Sequence, residues 1–106
     1  MCEIDIKHMC KEHFAEVLGI EYANSMFLEK WGKDDFITTL RRRNHCCVVA
    51  ISRKNSRVLG FVVYHLQADK IHIYNMAVDP DFSRLGVGTK LLNKMKTKLN
   101  FQTERR

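Results

Sequence analysis

Proline is nearly absent from the sequence: Pro80 is the only one among 106 residues, so it marks a single enforced break in the chain. Long apolar runs are missing too. The longest, around residues 46–51, falls far short of the roughly 20 residues that cross a bilayer, which excludes a membrane-spanning helix. Glu3 and Asp5 occupy the stretch where a secretory signal would need an apolar core, so a cytoplasmic location is expected. Cys2, Cys10, Cys46 and Cys47 show neither a C-x-x-C pair nor zinc-finger spacing. No metal site is therefore expected, and the thiols should be reduced and buried as small hydrophobes. Cys46 and Cys47 are adjacent in a β-like run and should point to opposite faces. No linker, repeat or low-complexity tract interrupts the chain, and 45% hydrophobic with 28% charged residues describes one folded domain.

Acidic charge is in the minority. The 18 Lys+Arg against 12 Asp+Glu leave +6 with His neutral, a balance that favours an anionic ligand. No block of five like charges exists, and Arg41, Arg42 and Arg43 form the densest cluster. A solvated helix end accounts for them at least as well as a phosphate track. Charges and aromatics are not interleaved, so direct nucleic-acid binding is not expected.

Periodicity supplies the elements. Residues 2–6 alternate as a short opening strand, and 9–22 place Phe14, Val17, Leu18 and Tyr22 on one helix face. A second helix starts near Gly32, with Asp34 and Asp35 in its first turn, Phe36, Ile37 and Leu40 as its stripe, and Arg41 to Arg43 in its last turn. Residues 45–52 and 58–66 are rich in Val, Ile, Phe and Tyr around the turn 53–57, which reads as a β-hairpin. A further turn at 67–70 leads to a strand over 71–78. A helix over 86–100 then has Val87, Leu91, Leu92, Met95 and Leu99 in step with a 3.6 period. The order β-α-α-β-β-β-α implies an α/β (α+β) fold, a mostly antiparallel sheet with helices packed on it.

Chemistry concentrates in VDPDFSRLGVGTKLL, residues 78–92: a strand, a proline turn, two glycines and a helix. Gly86 and Gly88 let backbone approach a ligand, and the amides of a first helical turn have no partners inside the helix. Aligned peptide dipoles add roughly half a positive charge there, which suits phosphate, and Arg84 offers a charged fork just ahead. A P-loop is excluded because no Gly-Lys pair follows at the required spacing. A dinucleotide fingerprint is excluded because position 91 is leucine and too little chain follows for a βαβ unit. A helix that merely begins with glycine remains the plain alternative.

The run Asn75 to Phe82 followed by Ser83-Arg84-Leu85-Gly86-Val87-Gly88 resembles the GNAT acetyltransferase superfamily, whose signature is [QR]-x-x-G-x-[GA] after a hydrophobic-Ala-Val-Asp-Pro strand end. The segment from Trp31 to Phe36 adds a similarity to the RimI-like N-terminal acetyltransferases of ribosomal proteins. Ser83 departs from the pattern, which has Gln or Arg there. The resemblance implies acetyl-CoA as co-substrate, without a metal. It also implies a sheet with helices on both faces and transfer of acetyl to a protein N-terminal amine, such as that of a ribosomal protein. It assigns Met76, Ala77 and Val78 to the pantetheine arm through their backbone, with the Met76 amide as the oxyanion donor. Arg84, Leu85, Gly86, Val87, Gly88 and Thr89 are assigned to the pyrophosphate.

In the RimI-like branch the general base and acid, a Glu and a Tyr, follow the helix that ends here near Asn100. The sequence therefore reads as a single, partial domain, 1–106, lacking the C-terminal strand-helix-strand and holding no catalytic residue of that set. The alternative function is a catalytically deficient module that acts through CoA binding or chain association, for example a homodimer through an exposed sheet edge. In other branches a carboxylate serves as base where His72 stands; His72 is either a substitute base or a polar residue at the cleft wall. Tyr74, on the same strand face, and Trp31, between the helices, either touch substrate or pack. His8, His13, His45 and His65 receive no role.

Overall fold

The computed structural model describes residues 3–24, 30–68 and 70–104, with backbone alone at 24, 83–85 and 98–104. Four strands, β1 (Ile4–His8), β2 (His45–Ser52), β3 (Val58–Gln67) and β4 (Lys70–Val78), form one antiparallel sheet in the order β1-β2-β3-β4. Helices α1 (Phe14–Asn24) and α2 (Lys33–Leu40) cover one face, and α3 (Val87–Glu104) covers the other. Strand alternation explains the two layers. Cys47, Val49 and Ile51 of β2 face α1 and α2, while Val48 and Ala50 face α3. The helices on both faces are as the family resemblance implied.

The hairpin of β2 and β3 lies where its composition placed it, and α3 continues beyond the expected 100 to Glu104. Strand β1 is shifted from the expected 2–6 to Ile4–His8, because pairing with β2 sets its register from Ile4↔Ser52 to His8↔Val48. Cys2 lies outside the described residues. Of the other cysteines, Cys47 is buried, Cys46 half-buried and Cys10 exposed. Burial, with Cys46 beside it, pushes the Cys47 thiol up to about 12, so it stays protonated and inert. Cys10 departs from the expected burial because it sits at the surface as the N-cap of a 3₁₀ turn, Lys11–His13. Its backbone N–H donates to Nδ1 of His13 at 3.0 Å. Cys10, Glu12 and His13 are the one set of metal-type donors that converge among the described residues. That hydrogen bond already occupies the Nδ1 lone pair.

The buried stripe of α1 differs from the expected one. Phe14, Val17, Ile20 and Glu21 face the sheet, Leu18 is half-buried, and Tyr22 is 79% exposed. Both stripes satisfy a helical period; the buried one carries Ile20 with Phe14 and Val17, and in it the Glu21 carboxylate meets hydrogen-bond donors. Glu16, on the same helix, accepts the Val58 N–H at 2.9 Å and ties α1 to the start of β3.

Helix α2 is shorter than expected. Gly32 caps it and donates its N–H to Asp35 Oδ2 at 2.8 Å. The helix stops at Leu40 rather than running through Arg43. Arg41 is its C-cap, Arg42 N–H turns back to Thr39 O, and Asn44 follows at φ 63°. A left-handed residue cannot continue a right-handed helix, and asparagine tolerates that conformation better than most residues. The arginines thus sit in an exposed turn instead of a helical last turn. Phe36 anchors α2 at 0% exposure, with its ring edge-on to Trp31 at 5.0 Å and to Phe61 at 5.5 Å.

Candidate functional site

Strand β4 ends the sheet, so no strand among the described residues pairs with its outer edge. Its side chains split between the two faces. Met76 and Val78 pack with the α3-side cluster, and Ala77 packs with the α1-side cluster. What β4 presents at the open edge is therefore backbone. The ladder with β3 steps from Val63↔Asn75 to Tyr64↔Ile73, leaving Tyr74 as an extra, bulged residue. A bulge increases local twist and turns the strand away from a flat edge.

Beyond Val78 the chain is pinned before it turns. Asp79 donates its N–H to Leu59 O at 2.8 Å, accepts from the Asp81 N–H at 3.0 Å, and pairs with Arg57 at 2.9 Å. Arg57 also lies over the Phe82 ring, 4.9 Å from its centroid. Pro80 opens a 3₁₀ turn, Pro80–Leu85, which ends on Gly86 at φ 77°, ψ 17°. That left-handed residue swings the chain into α3. Gly86 O accepts the Lys90 N–H at 3.0 Å. The N–H groups of Val87, Gly88 and Thr89 precede that first bond, so none has an acceptor within the helix.

The two glycines differ in their surroundings. A Cβ on Gly86 would meet nothing within 4 Å, so the space beside it is open, and its positive φ is the constraint. A Cβ on Gly88 would face inward, 3.6 Å from Met76 Cε and 3.8 Å from Val78 Cγ2, both ordinary contacts. Val87 is fully buried, Thr89 exposed, and Arg84 and Leu85 are placed on the 3₁₀ turn by their backbone. The structure thus brings residues 76–78 and 84–89 together at one end of β4. Gly60 makes this possible. Its absent Cβ would lie 3.0 Å from Ala77 O and 3.1 Å from Val87 Cγ1.

His72, Tyr74 and Trp31 lie apart from that loop. His72 is stacked beside His65 at 6.2 Å, and His65 is stacked on His45 at 4.3 Å. Tyr74 meets His45 edge-on at 5.2 Å. These are cross-strand neighbours, in the pairs His45↔His65 and His65↔His72. Partial burial, then the neighbouring imidazoles of His45 and His72, hold His65 below its ordinary value of 6.5. The unfolded chain therefore binds this proton more readily than the folded one. His65 contributes stability above its ordinary value, and the contribution is lost as pH falls below it. Thermal melts from about pH 8 to pH 5 should show a steeper acid-side fall in Tm for the native chain than for His65→Gln; superimposed profiles would count against the ladder. Trp31 packs on Phe36, and its backbone N–H is held by Glu21.

Sequence reasoning missed Glu21 and Asn75. Glu21 Oε2 accepts the Trp31 N–H at 2.6 Å and Asn75 Nδ2 at 3.0 Å. Both side chains are buried, at 1% and 0% exposure. A signal was present: Glu21 falls four residues after Val17 and seven after Phe14, a charge on an apolar stripe.

The fold has counterparts in proteins of known structure. The ribosomal-protein-S18-alanine N-acetyltransferase of Escherichia coli superimposes with a TM-score of 0.74 at 21% identity, over 92% of this chain and 59% of that one. Ard1 of Thermoplasma volcanium gives 0.78 at 20% identity, over 93% of this chain and 65% of that one. The PaiA N-acetyltransferase of Thermoplasma acidophilum, crystallised with coenzyme A, gives 0.66 at 13% identity, over 95% and 74%. The chain thus spans less than two thirds of the length of the first two. No significant match was found among curated proteins. At these identities the superpositions speak for the fold, and the sequence model of one family matches residues 10–102, from the first helix through α3. The chain belongs to the acetyltransferase (GNAT) family.

Proposed function

We propose that this domain binds acetyl-CoA across the open edge of β4 and the start of α3, and serves transfer of its acetyl group to a protein N-terminal amine. One observation supports this above the others: left-handed Gly86, with open space beside it, leads into three N–H groups that have no helical acceptor. The amides of Val87, Gly88 and Thr89 suit pyrophosphate oxygens, aided by the positive end of α3. Arg84 and Leu85 belong to the same turn; Met76 and Val78 turn backbone to the open edge for the pantetheine amides, and Ala77 between them pairs with Phe61 of β3. In this reading the Met76 amide faces the thioester oxygen as the oxyanion donor. Acetyl-CoA supplies an activated acyl group there, and the chain orients it.

A protein N-terminal amine as acceptor, a ribosomal protein's among them, is favoured by the Trp31 to Phe36 segment and by the ribosomal-protein acetyltransferase among the structural neighbours. A second reading, a module that binds CoA or pairs through β4 without turnover, is favoured by the unpaired outer edge of that strand.

Calorimetric titration of acetyl-CoA into the chain, with light scattering for mass and a thiol assay for released CoA, distinguishes these. Gly86→Asp should weaken binding at least about a hundredfold, because it strains a left-handed position and sets a carboxylate where phosphate would lie. Unchanged affinity in that variant would remove the site.

A further inference from the structure

Glu21 and Asn75 leave one acceptor each without a donor. Glu21 Oε2 is fully used, yet Glu21 Oε1 and Asn75 Oδ1 are buried below 1 Å² and have no hydrogen-bond partner. Native interiors rarely leave such atoms orphaned, and a buried carboxylate is ordinarily matched by a positive charge. Among the described residues no Lys, Arg or His forms an ion pair with Glu21. The cluster therefore lacks three things together: two donors and a cation. A primary ammonium supplies all three, whereas a water supplies only the donors.

Position points the same way. Asn75 directly precedes Met76 and follows the bulged Tyr74, so its side chain lies beside the strand proposed to hold the thioester. Its carboxamide points to the α1 face, while Met76 packs toward α3. An amine held by Asn75 would approach β4 from the face opposite the phosphate-binding helix. We infer that Glu21 Oε1 and Asn75 Oδ1 form the recognition site for the acceptor's amine. This inference rests on the acetyl-transfer reading for its substrate class, and on two orphaned oxygens for its location.

Trp31 gives a direct readout. It is the only tryptophan in the chain, and its own N–H sits on the Glu21 carboxylate. Because that N–H is bonded to the carboxylate, an amine that binds Glu21 changes the surroundings of Trp31. The probe is an alanine-starting pentapeptide amide with a free N-terminus, compared with the same peptide N-acetylated, each titrated with and without acetyl-CoA. The free amine should shift Trp31 fluorescence saturably and bind at least about tenfold more tightly than the blocked peptide. Glu21→Gln keeps the shape and can still accept the Trp31 N–H, but loses the charge, so that preference should vanish while acetyl-CoA affinity stays the same.

Should Glu21→Gln fail to fold, the native chain still decides. The Asn75 side-chain amide signals in a nitrogen–proton spectrum should move with the free peptide and stay still with the blocked one. Equal responses to the two peptides would overturn the inference. So would an undiminished preference in Glu21→Gln, or a crystal in which only a water bridges the two oxygens at saturating peptide. Loss of acetyl-CoA binding with the amine preference intact would remove the proposed function and leave this site standing. The reverse result would remove only this site.

Discussion

Gly60→Ala is expected to destabilise the domain by about 1–3 kcal/mol and to weaken acetyl-CoA binding with it. The added Cβ would lie 3.0 Å from Ala77 O, 3.1 Å from Val87 Cγ1 and 3.3 Å from Val78 Cα. Two of these three atoms are backbone of β4, which cannot yield as the end of a flexible side chain would. Gly60 pairs with Val78 across the ladder, and the adjoining step from Ala50↔Gly60 to Ile51↔Val58 is already a bulge. Relief must therefore come from pushing β4 outward or tipping the start of α3. Either movement changes the angle between the strand edge and the amides of Val87 to Thr89. Urea denaturation gives the stability change and calorimetry the affinity. A variant as stable as the native chain, with unchanged affinity, would show that β3 absorbs the methyl without moving the site.

The parts of the fold that were legible in the sequence are those where local chemistry and tertiary packing agree. The β2–β3 hairpin lies within a residue of its reading because an apolar, Val-containing run on either side of 53–57 suits a strand buried on both faces. Helix α3 was legible because Val87, Leu91 and Met95 recur at one spacing, and all three are buried. A period fixes a helix but not its phase. Tyr22 and Glu21 are neighbours on α1, and only the sheet decides that the tyrosine faces water and the carboxylate the interior. The end of α2 lies in the three-residue bonds from Arg41 N–H to Thr38 O and from Arg42 N–H to Thr39 O, which no residue at that point announces.

The turn from β4 into α3 was legible for a related reason: strand, Pro80, Gly86 and helix are contiguous, so one stretch of chain encodes the whole turn. Gly60 was not, since its necessity arises from Ala77 and Val87, on other elements. The Glu21–Asn75 pair joins residues 54 apart in the chain, and no local pattern links them. Their shared environment exists only after α1 has docked on β4.

Phe36→Ala should cost about 3–5 kcal/mol, the range for deleting a buried aromatic side chain. The total stability of a domain of this size is about 5–15 kcal/mol, so the loss is a large share of it. Phe36 is fully buried and meets Phe14 at 6.5 Å, Trp31 at 5.0 Å and Phe61 at 5.5 Å, from α1, the segment before α2, and β3. Helix α2 has only eight residues, too few to hold its own conformation, and among its residues only Phe36 and Thr39 are buried. Removing the ring leaves a void that three aromatic neighbours cannot fill by small shifts. Trp31 then loses its edge-on partner, and its N–H, which closes one side of the Glu21 carboxylate, loses its anchor. The expected result is a lower urea midpoint together with red-shifted Trp31 fluorescence in the native baseline, before any global unfolding. A loss below about 1 kcal/mol with unshifted emission would mean that α2 is held by contacts other than this ring. The hydrogen bond from the Trp31 backbone N–H to the buried carboxylate would then need a different cause.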